Sequence, residues 1–157
     1  HVDMLLNETL KSMEREISDR GIWVEKEYPD ELPSLQLDKG QIHQAFYNLI
    51  RNAIQAMTQG GILTLRIRIS DHGVAVSFTD TGSGIEAEDL GALFDAYHTT
   101  KEDGTGLGLM IVQRIMQDHG GQIEIETRPG QGTTFTLLLP RFEQRIRLLG
   151  DPEDTKI

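Results

Sequence analysis

Two asparagines, Asn48 and Asn52, lie four residues apart inside a segment with helical spacing. That separation stacks both amides on one helix face, beside the apolar stripe rather than opposite it. Asparagine is a mediocre helix former, and a half-buried amide must find a partner. Ties to neighbouring loops account for such a pair as well. Farther along, Asp80-Thr81-Gly82-Ser83-Gly84-Ile85 places a carboxylate and two glycines directly after a strand-like run. The carboxylate can accept from an amino group, and glycine lets a ligand approach the backbone. A plain tight turn has the same composition. The third cluster, Gly104-Thr105-Gly106-Leu107-Gly108-Leu109, opens a second helical segment. Free amides at a helix start make a phosphate site. The run lacks the Gly-Lys-Ser/Thr ending of a Walker loop and the spacing of a dinucleotide fingerprint.

Composition narrows the chemistry. Among 157 residues, 15 Lys and Arg face 25 Asp and Glu, for a net charge of −10. Sequence-independent nucleic-acid binding needs a cationic surface, so no nucleic-acid partner is expected. The absence of cysteine excludes thiol catalysis, disulfide scaffolds and Cys-based zinc sites. No apolar run reaches bilayer length and no signal-peptide pattern opens the chain, so no direct membrane contact is expected. The opening on His1 rather than Met is what a piece of a longer protein would show. Of the 16 glycines, ten fall between Gly82 and Gly132, the same third that holds both glycine clusters.

The elements that must position these residues read clearly. Leu6, Leu10, Met13 and Ile17 predict a helix over 3–19, ended at Gly21. A short strand at 22–28 follows. Ile42, Ala45, Phe46, Leu49, Ile50, Ala53, Ile54 and Met57 form one helical stripe, with Asp38 as its N-cap. Strands are expected at 62–69 and 74–79, a short helix at 86–93, a helix at 107–119, and a closing hairpin of strands 123–127 and 133–139. Paired neighbouring strands with few helices imply an α+β sandwich: a mixed, mostly antiparallel sheet with helices on one face. Residues 1–140 form the expected domain, and 141–157 an extension that is partly helical, with Phe142, Ile146 and Leu149 on one face and Gly150 with Pro152 ending that helix, or disordered.

In order, Asn48-Leu49-Ile50-Arg51-Asn52-Ala53, Asp80-Thr81-Gly82-Ser83-Gly84-Ile85, Thr99-Thr100-Lys101 and Gly104-Thr105-Gly106-Leu107-Gly108-Leu109 resemble the N box, first glycine box, F box and second glycine box of sensor histidine kinase catalytic domains. His119-Gly120-Gly121 and Gly130-Gln131-Gly132-Thr133-Thr134-Phe135 look like the same family, and the match covers roughly 2–140. The flavour, with Arg51 and Gln55-Ala56-Met57, is similar to the nitrogen-regulation type. The resemblance implies a Bergerat-type fold, shared with gyrase-like and chaperone ATPases, that binds ATP or ADP with Mg²⁺. It implies that Asn52 holds Mg²⁺ and that Asp80 accepts from the adenine amino group. Gly82 and Gly84 would run under the base beside Ile85, and Thr133 would complete the adenine end. Lys101, with Thr100, Thr105 and the amides from Gly104 through Gly106 and Leu107 to Gly108 and Leu109, would meet the phosphates. Arg51 would assist them, and Tyr97 of the lid is a further candidate contact.

Asn48 stands where ATP-hydrolysing relatives carry a water-activating Glu, and an amide takes no proton at neutral pH. That favours phosphoryl transfer to a protein over hydrolysis, with Asn48, Asn52 and Lys101 as the catalytic group. An ATPase clamp or chaperone-type module of the same superfamily is the alternative. The sequence departs from the family at Gln55 and Ala56, where Lys and an aromatic residue are common, and at Ala96, where Pro is usual. His1, His43, His72, His98 and His119 all lack the phosphoacceptor context and read as ordinary surface or packing residues. The resemblance therefore implies partners: a dimerisation and phosphoacceptor domain of the parent chain, and a response-regulator receiver. A cytoplasmic location is expected, with a parent that can be anchored in the inner membrane.

Overall fold

A computed structural model of the chain describes residues 1–95 and 106–141. The leading amphipathic segment forms two helices, α1 (Val2–Ser12) and α2 (Glu14–Asp19), where the spacing predicts one. Thr9 Oγ1 donates to the Leu5 carbonyl at 2.8 Å, and Ser12 Oγ donates to the Thr9 carbonyl at 2.7 Å. Hydroxyls that bond back onto the preceding turn bend a helix. The break falls at Met13, with φ −110°. Met13 itself and, on either side of it, Val2, Leu6, Leu10 and Ile17 all reach the core.

Strand β1 (Ile22–Glu27) runs parallel to β2 (Gly61–Ser70), and α3 (Lys39–Ala56) is the crossover that parallel neighbours require. β2 returns through Asp71-His72 into antiparallel β3 (Gly73–Asp80). The helix expected over 86–93 is a single turn, α4 (Ala87–Leu90). Glu86 supplies no side-chain cap there. Then come α5 (Gly108–Asp118), β4 (Gln122–Arg128) and β5 (Gly132–Pro140). β5 inserts between β3 and β4, giving the order β1-β2-β3-β5-β4 with only the β1–β2 pair parallel. This is the mixed, mostly antiparallel α+β sheet that the sequence implies. The expected extension beyond Arg141, including Phe142, Ile146 and Leu149, lies outside the described residues.

The apolar stripe of α3 is buried along its length, and Phe46 meets Phe78 of β3 with ring centroids 5.6 Å apart. Leu63, Leu65, Ile67, Val76, Leu137 and Leu139 fill the helix-covered face of the sheet. The opposite face is polar, with Ser77–Thr136 and Thr79–Thr134 hydroxyl pairs at 2.9 Å. Strand alternation then decides the direction of Asp80. It follows Val76 and Phe78 at steps of two, so its carboxylate points into the helix layer, 5% exposed, opposite Thr133 in register.

Candidate active site

The site is built along one row of α3. Asp38 Oδ1 accepts from the Gln41 amide at 3.0 Å, the N-cap expected from the sequence. From this fixed start Asn48, Asn52 and Ala56 follow at steps of four, each about 6 Å farther along the axis. Both asparagines are half-buried beside the apolar stripe. At one end Asn48 Nδ2 donates to the Gly108 carbonyl at 3.4 Å, bringing the first residue of α5 against α3. At the other end the Ser83 amide donates to the Ala56 carbonyl at 3.3 Å. A Cβ on Gly82 would stand 2.6 Å from that same oxygen. Asn52 therefore sits midway between the two glycine clusters.

The Asp80 end is a hydrogen-bonded unit. Asp80 Oδ1 accepts from the Gly82 amide at 2.9 Å and from the Thr133 amide at 3.3 Å, which fixes the plane of the carboxylate. Thr133 Oγ1 lies 2.8 Å from Thr127 Oγ1, and Thr127 Oγ1 accepts from the Ile85 amide at 2.9 Å. Gly84 has φ +70°, and a Cβ there would stand 2.2 Å from the Arg128 carbonyl. Both glycines of the first cluster are thus required by the protein's own backbone packing. Thr127 escaped the sequence reading. Its only signal is its register opposite Thr133 across the closing hairpin.

At the second cluster Gly106 takes φ +73° and α5 begins at Gly108, with no side chain capping it from Leu107. Its first helical bond runs from the Ile111 amide to the Leu107 carbonyl at 3.0 Å. Among the described residues the amides of Gly108, Leu109 and Met110 have no helical acceptor, the donor set that an anion takes. Arg51 occupies the neighbouring row of α3, exposed, and donates to the Tyr47 hydroxyl at 3.0 Å. Tyr97, Thr100, Lys101, Gly104 and Thr105 lie outside the described residues, as do Ala96 and His98. Of the described histidines, His1 and His72 are exposed and His43 is half-buried. His119 is buried, at 4% exposure. Among the described residues no group of three or more His, Asp or Glu side chains is arranged to hold a metal ion. A divalent ion at Asn52 would therefore take an amide oxygen from the protein and phosphate oxygens from a nucleotide. That donor set suits Mg²⁺, which keeps several waters.

Residues 37–143 match the family described as histidine kinase-, DNA gyrase B-, and HSP90-like ATPase. The chain belongs to this ATPase family. Within it, the chain is 41% identical over 139 residues to the sensor histidine kinase ZraS of Escherichia coli K12, covering 88% of the chain and 30% of ZraS. It is 33% identical over 142 residues to sporulation kinase E of Bacillus subtilis, covering 89% of the chain and 19% of that kinase. The chain thus spans less than a third of the length of these curated relatives. The catalytic domain of histidine kinase ThkA superposes with a TM-score of 0.80 at 32% identity, covering 88% of the chain and 91% of that domain. Full-length ShkA, solved in complex with AMPPNP, gives a TM-score of 0.80 at 30% identity over 89% of the chain and 30% of ShkA. The chain is a nucleotide-binding ATPase-family domain of the sensor histidine kinase catalytic type. No helix among the described residues is long and apolar enough to cross a membrane.

Proposed function

We propose that this domain holds ATP along the Asn48–Asn52–Ala56 row and presents its γ-phosphoryl group to a histidine on a dimerisation and phosphoacceptor domain of the parent protein. In this reading the adenine amino group donates to Asp80, whose carboxylate is already oriented by the Gly82 and Thr133 amides. The phosphates meet the amides at the start of α5, with Lys101 and Arg51 as the cations that offset the net −10 locally. Asn52 contributes the protein's oxygen to Mg²⁺, which when bound neutralises charge on the phosphate oxygens. Residues 1–140 act as one unit, because α1 and α2 contribute to the same core as α3. A response-regulator receiver is the expected consumer of the phosphoryl group, in the cytoplasm.

The observation that carries the kinase reading over an ATPase clamp is Asn48. Its amide is turned to the Gly108 carbonyl, at the very point where the phosphate-facing helix starts. The Asn48 amide takes no proton and cannot activate water, so the γ-phosphoryl waits for another nucleophile. The test is to incubate the isolated chain with γ-labelled ATP. Binding, slow phosphate release and no stable label on the protein are expected. Brisk release would favour the clamp, and stoichiometric self-labelling would place the acceptor inside this chain.

A further inference from the structure

His119, between the end of α5 and its glycine pair, is built into the structure more firmly than a packing histidine needs to be. Gly120 takes φ +65°, its amide donates to the Gln117 carbonyl at 3.0 Å, and the Gly121 amide donates to the Met116 carbonyl at 2.8 Å. This Schellman closure holds His119 as the C-cap. Gly121 is pressed to β5, where an added Cβ would stand 2.4 Å from the Leu138 carbonyl. The buried imidazole then makes two bonds to backbone. The Asp38 amide donates to Nε2 at 3.0 Å, and Nδ1 lies 2.7 Å from the Ile115 carbonyl. An amide can only donate and a carbonyl can only accept, so the ring is the neutral tautomer with its proton on Nδ1.

The Asp38 bond joins the end of α5 to the start of α3. The Asn48–Gly108 bond joins the start of α5 to the middle of α3. The two helices are therefore antiparallel and clasped twice. From Asp38 to Asn48 α3 rises about 15 Å, and from Gly108 to His119 α5 rises about 16 Å. The two spans match, so each clasp fixes the register that the other needs.

We propose that His119 is a positioning residue for nucleotide binding: its Nε2 acceptor at Asp38 sets how far α5 reaches along α3, and so where the amides of Gly108, Leu109 and Met110 stand relative to Asn48 and Asn52. This rests on the proposed reading that those amides face the phosphates. The adenine end belongs to β3, β5 and the end of α3, whereas His119 bonds Asp38 at the start of α3.

Two conservative substitutions separate the bonds. His119→Asn keeps a donor at the Nδ1 position and loses the reach to Asp38. His119→Gln keeps an acceptor at the Nε2 position and loses the bond to Ile115. Affinities of the full chain for ATP and for adenosine, and the amide resonances of Gly108 and of the Asn48 side chain, are compared with the wild type. His119→Asn should weaken ATP binding up to about tenfold, the value of one hydrogen bond, with adenosine unchanged. It should also shift the Gly108 and Asn48 resonances, and His119→Gln should restore both. Equal losses for ATP and adenosine, or equal behaviour of the two variants, would reduce His119 to a stabilising residue and overturn the proposal. Unmoved Gly108 and Asn48 resonances in His119→Asn would overturn it even if the wild type bound no ATP, a result that would itself refute only the functional reading. Should His119→Asn not fold, His119→Gln decides alone: wild-type-like ATP affinity and resonances support the clasp, and a selective loss of ATP binding refutes it.

Discussion

Asp80 and Thr133 face each other across the β3–β5 ladder, and the side chain of the first accepts a hydrogen bond from the backbone of the second at 3.3 Å. The same carboxylate oxygen takes the Gly82 amide at 2.9 Å. A strand pair and a glycine turn together orient one buried acid, which is how a fixed acceptor for an amino group is made.

Asp80→Asn tests that acceptor with little change in shape. The amide oxygen can keep the Gly82 and Thr133 bonds, while the amide nitrogen presents a donor in place of the second carboxylate oxygen. A charge-assisted hydrogen bond is worth about 1.5–3 kcal/mol, so ATP affinity should fall roughly tenfold to a hundredfold with the melting temperature nearly unchanged. Calorimetric titration measures this. Undiminished ATP binding would remove Asp80 from the adenine site.

Gly84→Ala should be strongly destabilising, because the new methyl meets the Arg128 carbonyl at 2.2 Å from a left-handed backbone of φ +70°. Strain of that kind alone costs about 1–3 kcal/mol, before the clash is added. Gly91→Ala is the internal control. It has open space and φ −64°, so its melting temperature should hold or rise slightly. Thermal melts of the two variants should separate cleanly. Similar values would mean that the first glycine cluster is not held by its own backbone contacts.

Tyr28 contributes to the alkaline limb of stability. Its hydroxyl is buried without a hydrogen-bond partner among the described residues, and burial, followed by the nearby Asp3 carboxylate, pushes its pKa up to about 12. The folded state thus favours the neutral phenol. Its contribution is complete below the ordinary tyrosine value of about 10 and is lost as pH rises through about 12. Tyr28→Phe removes the ionisable group, so the fall in stability between those values should flatten. At neutral pH the variant should be as stable as the wild type or more so, since an unpartnered hydroxyl is gone. Denaturant midpoints measured across the alkaline range check this, and an unchanged slope in Tyr28→Phe would assign it to other groups.

Much of this protein was legible in its residues, because local chemistry writes local structure. The period of Ile42 through Met57 defined α3, and Asp38 capped it as its type predicts. Alternation located every described strand to within a residue, and the asparagine and glycine clusters picked out by their spacing come together along α3. The leading helix was misjudged for an equally local reason. Thr9 and Ser12 bond back to the preceding turn, a competition that apolar periodicity does not register.

The sequence by itself determined the strands, the two long helices α3 and α5 and the family, since residue type and spacing suffice for these. Only the tertiary structure decided what the chosen residues touch. Gly82 and Gly84 are glycines because Ala56 and Arg128 carbonyls crowd them, whatever passes beneath a base. Thr127 belongs to the Asp80 unit through a hairpin register. His119, which reads as an ordinary packing residue, clasps Asp38 from 81 positions away. Such contacts depend on how β5 inserts beside β3 and how α5 docks on α3. Long-range docking of that kind follows from the burial of whole faces, and no local period encodes it.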